Sequence, residues 1–191
     1  MAPHIATVIA WVAWILSWII AAMWADRAER RPARGEEWLY RIVTFVAALL
    51  LFFSRARRFG APDRLWTVGP ALDWALFALV LVGFAFAWWA RIYLGRLWSS
   101  SVTRKAGHRV VDAGPYAIVR HPIYTGLLLS LAATAAENGT VRAVAGFLIF
   151  IAGFWIKARL EERFLSAELG PGAYEAYRRR VPMLLPFGPR G

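Results

Sequence analysis

Cysteine is absent from this chain of 191 residues, and histidine occurs only three times. Without cysteine, the chain cannot form disulfides, thiolate nucleophiles or cysteine-ligated metal sites. His4, His108 and His121 show no HExxH or comparable ligand spacing, so we expect no metal site. Acidic residues are also scarce, 12 against 23 lysines and arginines, which gives a formal net charge of +11. Nucleic acid and anionic lipid both attract such a charge.

The basic residues fall between long apolar runs, which favours lipid headgroups over nucleic acid as the partner. Hydrophobic residues make up 59% of the chain, above the roughly 45 to 50% that is usual in soluble domains. Many of the 11 tryptophans stand at the ends of these runs, where their rings prefer the headgroup layer. Five runs predict transmembrane helices, at 5–25, 38–53, 68–90, 123–136 and 141–156.

The sequence therefore predicts an all-α integral membrane protein, with about five transmembrane helices in a single domain, 1–191. The first run lacks the basic start and cleavage site of a signal peptide, so we expect it to be retained as a span. The region 1–90 would supply the N-terminal transmembrane helices. The region 91–191 would carry the chemistry, with a helical hairpin that turns at Glu137-Asn138-Gly139 and with interfacial helices after it.

Loop charges predict which side of the membrane the chemistry faces. Arginines and lysines concentrate in 27–34, 91–120 and 157–190, and five alternating spans bring these three regions to one side. The positive-inside rule makes that side cytoplasmic. Four arginines within 55–64 conflict with this orientation, and a re-entrant second segment is an alternative that would remove the conflict.

The most unusual stretch lies before the fourth run. Gly114-Pro115 predicts a turn, and His121-Pro122 predicts that a helix starts at or just after Pro122. Arg120 and His121 then precede a helix N-terminus, where free backbone N–H groups favour an anion such as a carboxylate or phosphate. An equally supported alternative is an interfacial cap, with Arg120 on a lipid phosphate and His121 as a turn residue.

A second charged stretch, 157–165, follows the last run. Glu161 can pair with Lys157, and Glu162 with Arg159, which favours an ordinary solvated turn. An acid beneath an apolar helix can instead accept hydrogen bonds from the hydroxyl or amino groups of a ligand. Further on, Gly170-Pro171-Gly172 breaks the chain before a short basic helix with two tyrosines. This helix is predicted to anchor on the membrane surface through its aromatic and basic residues.

Several of these motifs, in this order and spacing, together resemble the isoprenylcysteine carboxyl methyltransferase family and its phospholipid N-methyltransferase relatives. The resemblance covers about 98–186, nearly half of the chain. It rests on Gly114-Pro115-Tyr116, Arg120-His121-Pro122-Ile123-Tyr124-Thr125-Gly126, Glu161-Glu162, Gly170, Tyr174, Tyr177 and Arg180-Val181-Pro182.

The resemblance implies a methyltransferase that uses S-adenosylmethionine and releases S-adenosylhomocysteine. Its cofactor pocket would face the cytoplasm and be formed by 91–122 and the C-terminal tail. Arg120, His121, Lys157 and Arg159 would act on the substrates, although Lys157 stands where the family has arginine and cannot make a planar bidentate contact. The implied cofactor contacts are His108, Arg109, Val110, Val111, Tyr116, His121, Pro122, Ile123, Tyr124, Glu161 and Glu162.

The expected acceptor is a lipophilic small molecule or a lipid-modified one, with methylation of a carboxyl group favoured. We expect the protein in a prokaryotic inner membrane, among membrane lipids and without nucleic acid. Methylation of a phospholipid amine is an alternative, and a non-catalytic scaffold that binds anionic lipid is another. A membrane reductase with the same C-terminal architecture is a third.

Overall fold

The computed structural model describes residues 2–23, 34–53, 64–95, 111–169 and 171–189. Within these ranges the chain is helical, and its only β-type pairing is an isolated bridge between Arg64 and Thr140. Seven helices occupy the described ranges: α1 (Pro3–Ala22), α2 (Arg34–Phe52), α3 (Pro70–Leu94), α4 (Pro115–Ile118), α5 (Pro122–Asn138), α6 (Val141–Leu169) and α7 (Pro171–Arg180).

Three of these helices are long and apolar enough to cross a bilayer, namely Pro3–Ala22, Pro70–Leu94 and Val141–Ala167. The apolar part of α2, Trp38–Phe52, is shorter, and α5 has 17 residues. Large apolar side chains point outwards on several helices, for example Ile19, Phe45 and Leu148. Such side chains are stable only against lipid, so the chain is an integral membrane protein of the predicted all-α class.

The five longer helices alternate in direction. Arg91 near the end of α3 donates to the carbonyl of Ala21 at the end of α1, at 2.7 Å. The start of α2 packs on the far end of α6 through Tyr40 and Leu160. Asn138 at the end of α5 donates to the Leu51 carbonyl near the end of α2, at 3.1 Å.

This alternation places the helix ends that flank 24–33, 96–110 and 170 at one end of the bundle, as the five-span prediction requires. The segment before α3 lies at the other end, where Trp66 donates to the Ala136 carbonyl at 2.8 Å. The re-entrant alternative for the second segment is wrong, because α2 runs the length of α6 from Leu160 to Gly146.

Small residues let α3 and α5 approach closely. A Cβ on Gly126 would lie 2.5 Å from the Gly83 carbonyl oxygen, so neither position can carry a larger residue without moving a helix. Ser130 fills the next position and donates to the Val80 carbonyl at 2.9 Å. Small residues at a membrane interface allow backbones to pack directly. The packing fixes the start of α5 beside the end of α3.

Two predicted helix ends were wrong. The last span does not end at residue 156, because α6 continues through the charged stretch to Leu169. No glycine or proline interrupts that stretch before Gly170, and tertiary partners satisfy its acids. The hairpin turn is also shorter than predicted. Glu137 and Asn138 belong to α5, and only Gly139 adopts the left-handed conformation, with φ of 61°.

Candidate active site

The start of α5 is clamped by the C-terminal segment. His121 caps the helix and Pro122 occupies its first turn, as predicted. The backbone N–H groups of Arg120 and His121 donate to the carbonyls of Pro182 and Met183, at 2.8 and 3.1 Å. The Thr125 hydroxyl also donates to the carbonyl of residue 184, at 2.6 Å. Three successive carbonyls therefore hold 182–184 against the start of α5.

Arg120 is buried, and protein acceptors take the donors of its Nε and Nη1. Its Nε donates to Oε1 of Glu162 at 2.6 Å, and its Nη1 donates to the carbonyls of Arg178 and Val181 at 2.9 and 2.6 Å. The side chain is 2% exposed. The interfacial-cap alternative, with Arg120 on a lipid phosphate, is therefore wrong.

Two consecutive acids of α6 converge on His121. Its Nδ1 lies 3.4 Å from Oε2 of Glu161, and its Nε2 lies 3.2 Å from Oε1 of Glu162. Burial alone would lower the pKa of His121, but hydrogen bonds to Glu161 and Glu162 outweigh it and raise the pKa. The two carboxylates thus favour the charged form of the imidazole.

The two acids differ in their surroundings. Glu162 is 3% exposed and meets Arg120, His121 and, at 3.6 Å, Nε of Arg178. These contacts replace the predicted surface pairing with Arg159. Glu161 is 21% exposed and accepts a 2.5 Å hydrogen bond from the Tyr124 hydroxyl. Glu161 therefore retains access to its surroundings that Glu162 has lost.

Aromatic rings border the Glu161 side of the cluster. The Tyr124 ring stacks on His121 and on Phe154, with centroids 5.4 and 5.1 Å apart. The Lys157 ammonium lies 5.2 Å from the Tyr124 centroid and 5.4 Å from that of Tyr40 on α2. At these distances both rings attract the cation. The arrangement places a positive charge one helical turn from Glu161.

Helix α7 closes the opposite side. Tyr174 and Tyr177 are buried together with Val181 and pack against Leu165. The Tyr177 hydroxyl donates to the Tyr116 carbonyl at 2.7 Å. The prediction that these tyrosines anchor the tail in the membrane is wrong, because they face protein. Burial raises the pKa of both phenols, so they remain neutral hydrogen-bond donors.

The remaining predicted residues are spread around this cluster. Tyr116 is buried in α4, and burial followed by the Glu161 charge raises the pKa of its phenol. Arg159 is exposed, lies over the Trp155 ring and is not brought to the cluster. Val111 is half-buried just before α4, and Ile123 is half-buried in α5. His108, Arg109 and Val110 lie outside the described residues.

Sequence reasoning missed three contributors: Tyr40, Arg178 and the segment 182–184. Arg178 carried a signal, since 174, 177, 178 and 181 share one helical face and the tyrosines there are buried. Tyr40 carried none, because one tyrosine in an apolar helix does not reveal which helix it meets. The backbone clamp by 182–184 is independent of side-chain type and leaves no pattern.

The geometry defines what the cluster can bind. Glu161 offers a partly accessible carboxylate beside neutral phenols, which suits a ligand with ammonium or hydroxyl groups. Lys157 offers a cation that suits an anionic group. Among the described residues, no group of three histidine and acidic side chains is placed to hold a metal ion.

Comparison with known proteins shows which family part of the chain resembles. Residues 75–167, which include α5, most of α6 and the cluster of His121 with both acids, match the family model described as Isoprenylcysteine carboxyl methyltransferase (ICMT) family. This part of the chain is therefore similar to the isoprenylcysteine carboxyl methyltransferase family. The segment thereby confirms the resemblance drawn from the motifs.

Three curated relatives align with parts of the chain, and two of them are named as methyltransferases. Methanethiol S-methyltransferase 2 of Bradyrhizobium diazoefficiens is 45% identical over 75 residues, which cover 37% of this chain and 26% of that protein. Cobalt-zinc-cadmium resistance protein CzcN of Cupriavidus metallidurans is 32% identical over 148 residues, covering 76% and 60%. Protein-S-isoprenylcysteine O-methyltransferase B of Arabidopsis thaliana is 31% identical over 87 residues, covering 45% and 44%. The chain therefore matches between about a quarter and three fifths of these relatives' lengths.

One solved structure has a fold similar to that of this chain. The eukaryotic intramembrane Ras methyltransferase ICMT superposes with a TM-score of 0.57 at 22% identity. The alignment covers 78% of this chain and 52% of that one. The two proteins therefore share their helical membrane fold over this part.

Proposed function

We propose that this protein is a membrane methyltransferase that uses S-adenosylmethionine and acts on a lipid-like acceptor at the basic end of its bundle. One observation carries the proposal: His121 lies within 3.4 Å of both Glu161 and Glu162, which are about forty residues further along the chain. The polar residues before α5 and those near the end of α6 thus meet at one end of the helical bundle. The chemistry is assigned to 91–191.

The residues present fit the cofactor on the Glu161 side. A carboxylate that is 21% exposed can accept from an ammonium and from ribose hydroxyls, and the neutral rings of Tyr116 and Tyr124 tolerate a sulfonium. Arg120 fits less well as a partner of the cofactor's carboxylate, because three protein acceptors occupy its donors. We therefore assign Arg120 to the positioning of Glu162, and keep His108 and Arg109 as proposed contacts.

When bound, S-adenosylmethionine supplies a methyl group on a good leaving group, so the protein's main task is to align the acceptor. His121, charged between two carboxylates, orients Glu161 rather than removing a proton. Such a site suits an acceptor that arrives as an anion, because no general base is then required. The Lys157 ammonium, next to Glu161 and Tyr124, is placed to hold that anion.

A carboxylate on a lipid or isoprenoid tail meets these requirements, with the tail between the helices and the charged head at Lys157. A small thiolate meets the same electrostatic requirement, and the S-methyltransferase relative favours it as the second candidate. A phospholipid amine is less suitable, because its cation would face Lys157. The site is proposed to face the cytoplasm of a cell with an inner membrane, since basic regions flank the site.

The test is methyl transfer by the purified protein in lipid nanodiscs, with donor labelled in its methyl group. Acceptors would be an S-prenylated cysteine with a free carboxyl, a small alkyl thiol and phosphatidylethanolamine. We expect label in a base-labile ester from the first. Volatile thioether would select the second candidate, and base-stable label in phospholipid would select the amine alternative.

Binding of S-adenosylhomocysteine provides a readout that does not depend on knowing the acceptor. We expect saturable binding to the wild-type protein in nanodiscs, followed by calorimetry. Absence of both binding and transfer, from protein whose helical content is intact, would contradict the proposal and favour a lipid-binding scaffold.

A further inference from the structure

The C-terminal segment continues past the site toward the body of the bundle. Successive carbonyls of Pro182, Met183 and Leu184 accept from Arg120, His121 and Thr125 in that order. The segment therefore runs in the same direction as the chain entering α5. Because α5 is embedded, this course takes the following residues toward the lipid and away from the aqueous end.

A strained turn follows at once. The Gly188 N–H donates to the Leu185 carbonyl at 2.9 Å, which closes a four-residue turn with Pro186 second and Phe187 third. Phe187 has φ of 64° and is the only described residue other than glycine with a positive φ. The third position of a type II turn requires such a φ and normally carries glycine or asparagine. A phenylalanine there is held against its backbone preference.

The turn presents its apolar side chains outwards. Phe187 is 99% exposed and Leu185 is 67% exposed, and neither packs in the clusters of buried residues. In water, the exposed apolar side chains would provide no stabilisation to offset the cost of the strained backbone. In the interfacial layer of a bilayer they would bury their surface, which is the usual placement of exposed aromatic and leucine side chains next to basic residues.

The neighbouring charges fit the same surface. Arg179 and Arg180 in the last turn of α7 are exposed, and Arg180 pairs with Asp112 at 3.1 Å. Arginines beside an apolar tip attract anionic headgroups. These observations concern the course of the segment, the strained backbone of Phe187, its exposure and the nearby arginines. None of them depends on the proposed methyl transfer.

We propose that the tip Leu185–Pro186–Phe187 inserts into the headgroup region of an anionic bilayer and forms a lipid-contacting lip beside the start of α5. The membrane contact of the tail thus belongs to this tip, whereas Tyr174 and Tyr177 of α7 are committed to the protein interior.

The test uses the absence of cysteine, since a single introduced cysteine is the only site for a thiol-reactive dye. Phe187→Cys and Leu185→Cys would be labelled with a nitrobenzoxadiazole dye and reconstituted at one chain per nanodisc of phosphatidylcholine and phosphatidylglycerol. Ala176→Cys, exposed on α7, is the matched control. Helical content and elution profile must equal those of the wild type.

We expect dithionite to reduce the dye at 187 and 185 several-fold more slowly than at 176. A doxyl group near the lipid headgroup should quench the dye at 187 and 185 but not at 176. Equal dithionite rates at 187 and 176, or protection that appears only with two chains per disc, would overturn the proposal, the latter because the tip would then cover a second copy.

Discussion

Glu161 and Glu162 are neighbours in the chain and meet the same histidine, yet they occupy different environments. Glu162 is enclosed by Arg120, His121 and Arg178, and its side chain is 3% exposed. Glu161 has a phenol and an imidazole as partners and is 21% exposed. One acid is enclosed by protein groups, whereas the other keeps an accessible surface for a ligand.

The difference indicates that a buried carboxylate and an accessible carboxylate have separate roles, the first in stability and the second in binding. Removing one partner of a buried ion pair strands the other charge, so such a pair makes the fold sensitive without providing chemistry. A partly exposed carboxylate costs less to keep and can exchange its partners. The comparison predicts that substitutions of Glu162 act on stability and substitutions of Glu161 act on binding.

The largest expected effect is that of Glu162→Ala. It strands the Arg120 guanidinium among backbone carbonyls and should lower the free energy of unfolding by about 3–5 kcal/mol. The measurement is the thermal unfolding midpoint in detergent, with Glu175→Ala, an acid half-exposed on α7, as control. Equal midpoints for the two variants would remove the distinction between the acids.

Next is Glu161→Gln, which keeps the shape and removes the charge. Loss of a charge-assisted hydrogen bond of about 1.5–3 kcal/mol should weaken S-adenosylhomocysteine binding by about 10- to 100-fold. The unfolding midpoint should change far less than in Glu162→Ala. Calorimetric titration measures the first quantity. Unchanged affinity, with a lowered midpoint, would mean that Glu161 is structural as well.

A smaller effect is expected at Tyr40, which holds Lys157 from α2. Tyr40→Leu removes one of the two rings near the ammonium and should raise the acceptor's KM a few-fold, since such contacts contribute about 0.5–1 kcal/mol. Tyr40→Phe keeps the ring and should restore the wild-type KM. If phenylalanine fails to rescue, the hydroxyl rather than the ring is what matters.

The smallest effect concerns pH. The pKa of His121 is raised above its ordinary 6.5 by both acids, so its charged form stabilises the fold fully below about pH 6.5. That contribution is lost as pH rises through the raised pKa. The midpoint difference between wild type and His121→Gln should therefore shrink from neutral to alkaline pH. A difference that is constant with pH would show that His121 is not charged in the fold.

Much of the fold followed from the sequence because apolar length and helix-starting signals are local. The start of α5 was predicted at Pro122, since proline suits a first turn and restricts the residue before it. The end of α6 was missed because the charged residues were taken as a sign of exposure to solvent. Glu162 instead meets Arg120, which lies 42 residues before it, and Arg178 of α7.

The site followed in part. His121, Tyr124 and Glu161 were expected together from their motifs, and the structure brings them together. The role of Arg120 was not foreseen, because two of its three acceptors are backbone carbonyls, which any residue provides. Tyr40 was missed for a related reason, as its contact with Lys157 depends on how α2 packs on α6.

The clamp on α5 has a consequence for synthesis of the chain. The donors on Arg120 leave the ribosome 61 residues ahead of the Val181 carbonyl that they require. All five long helices are therefore complete before the site can close, and a chain stopped after α6 would have its helices but not the assembled cluster around His121. Assembly of the cluster around His121 thus requires translation past Leu184.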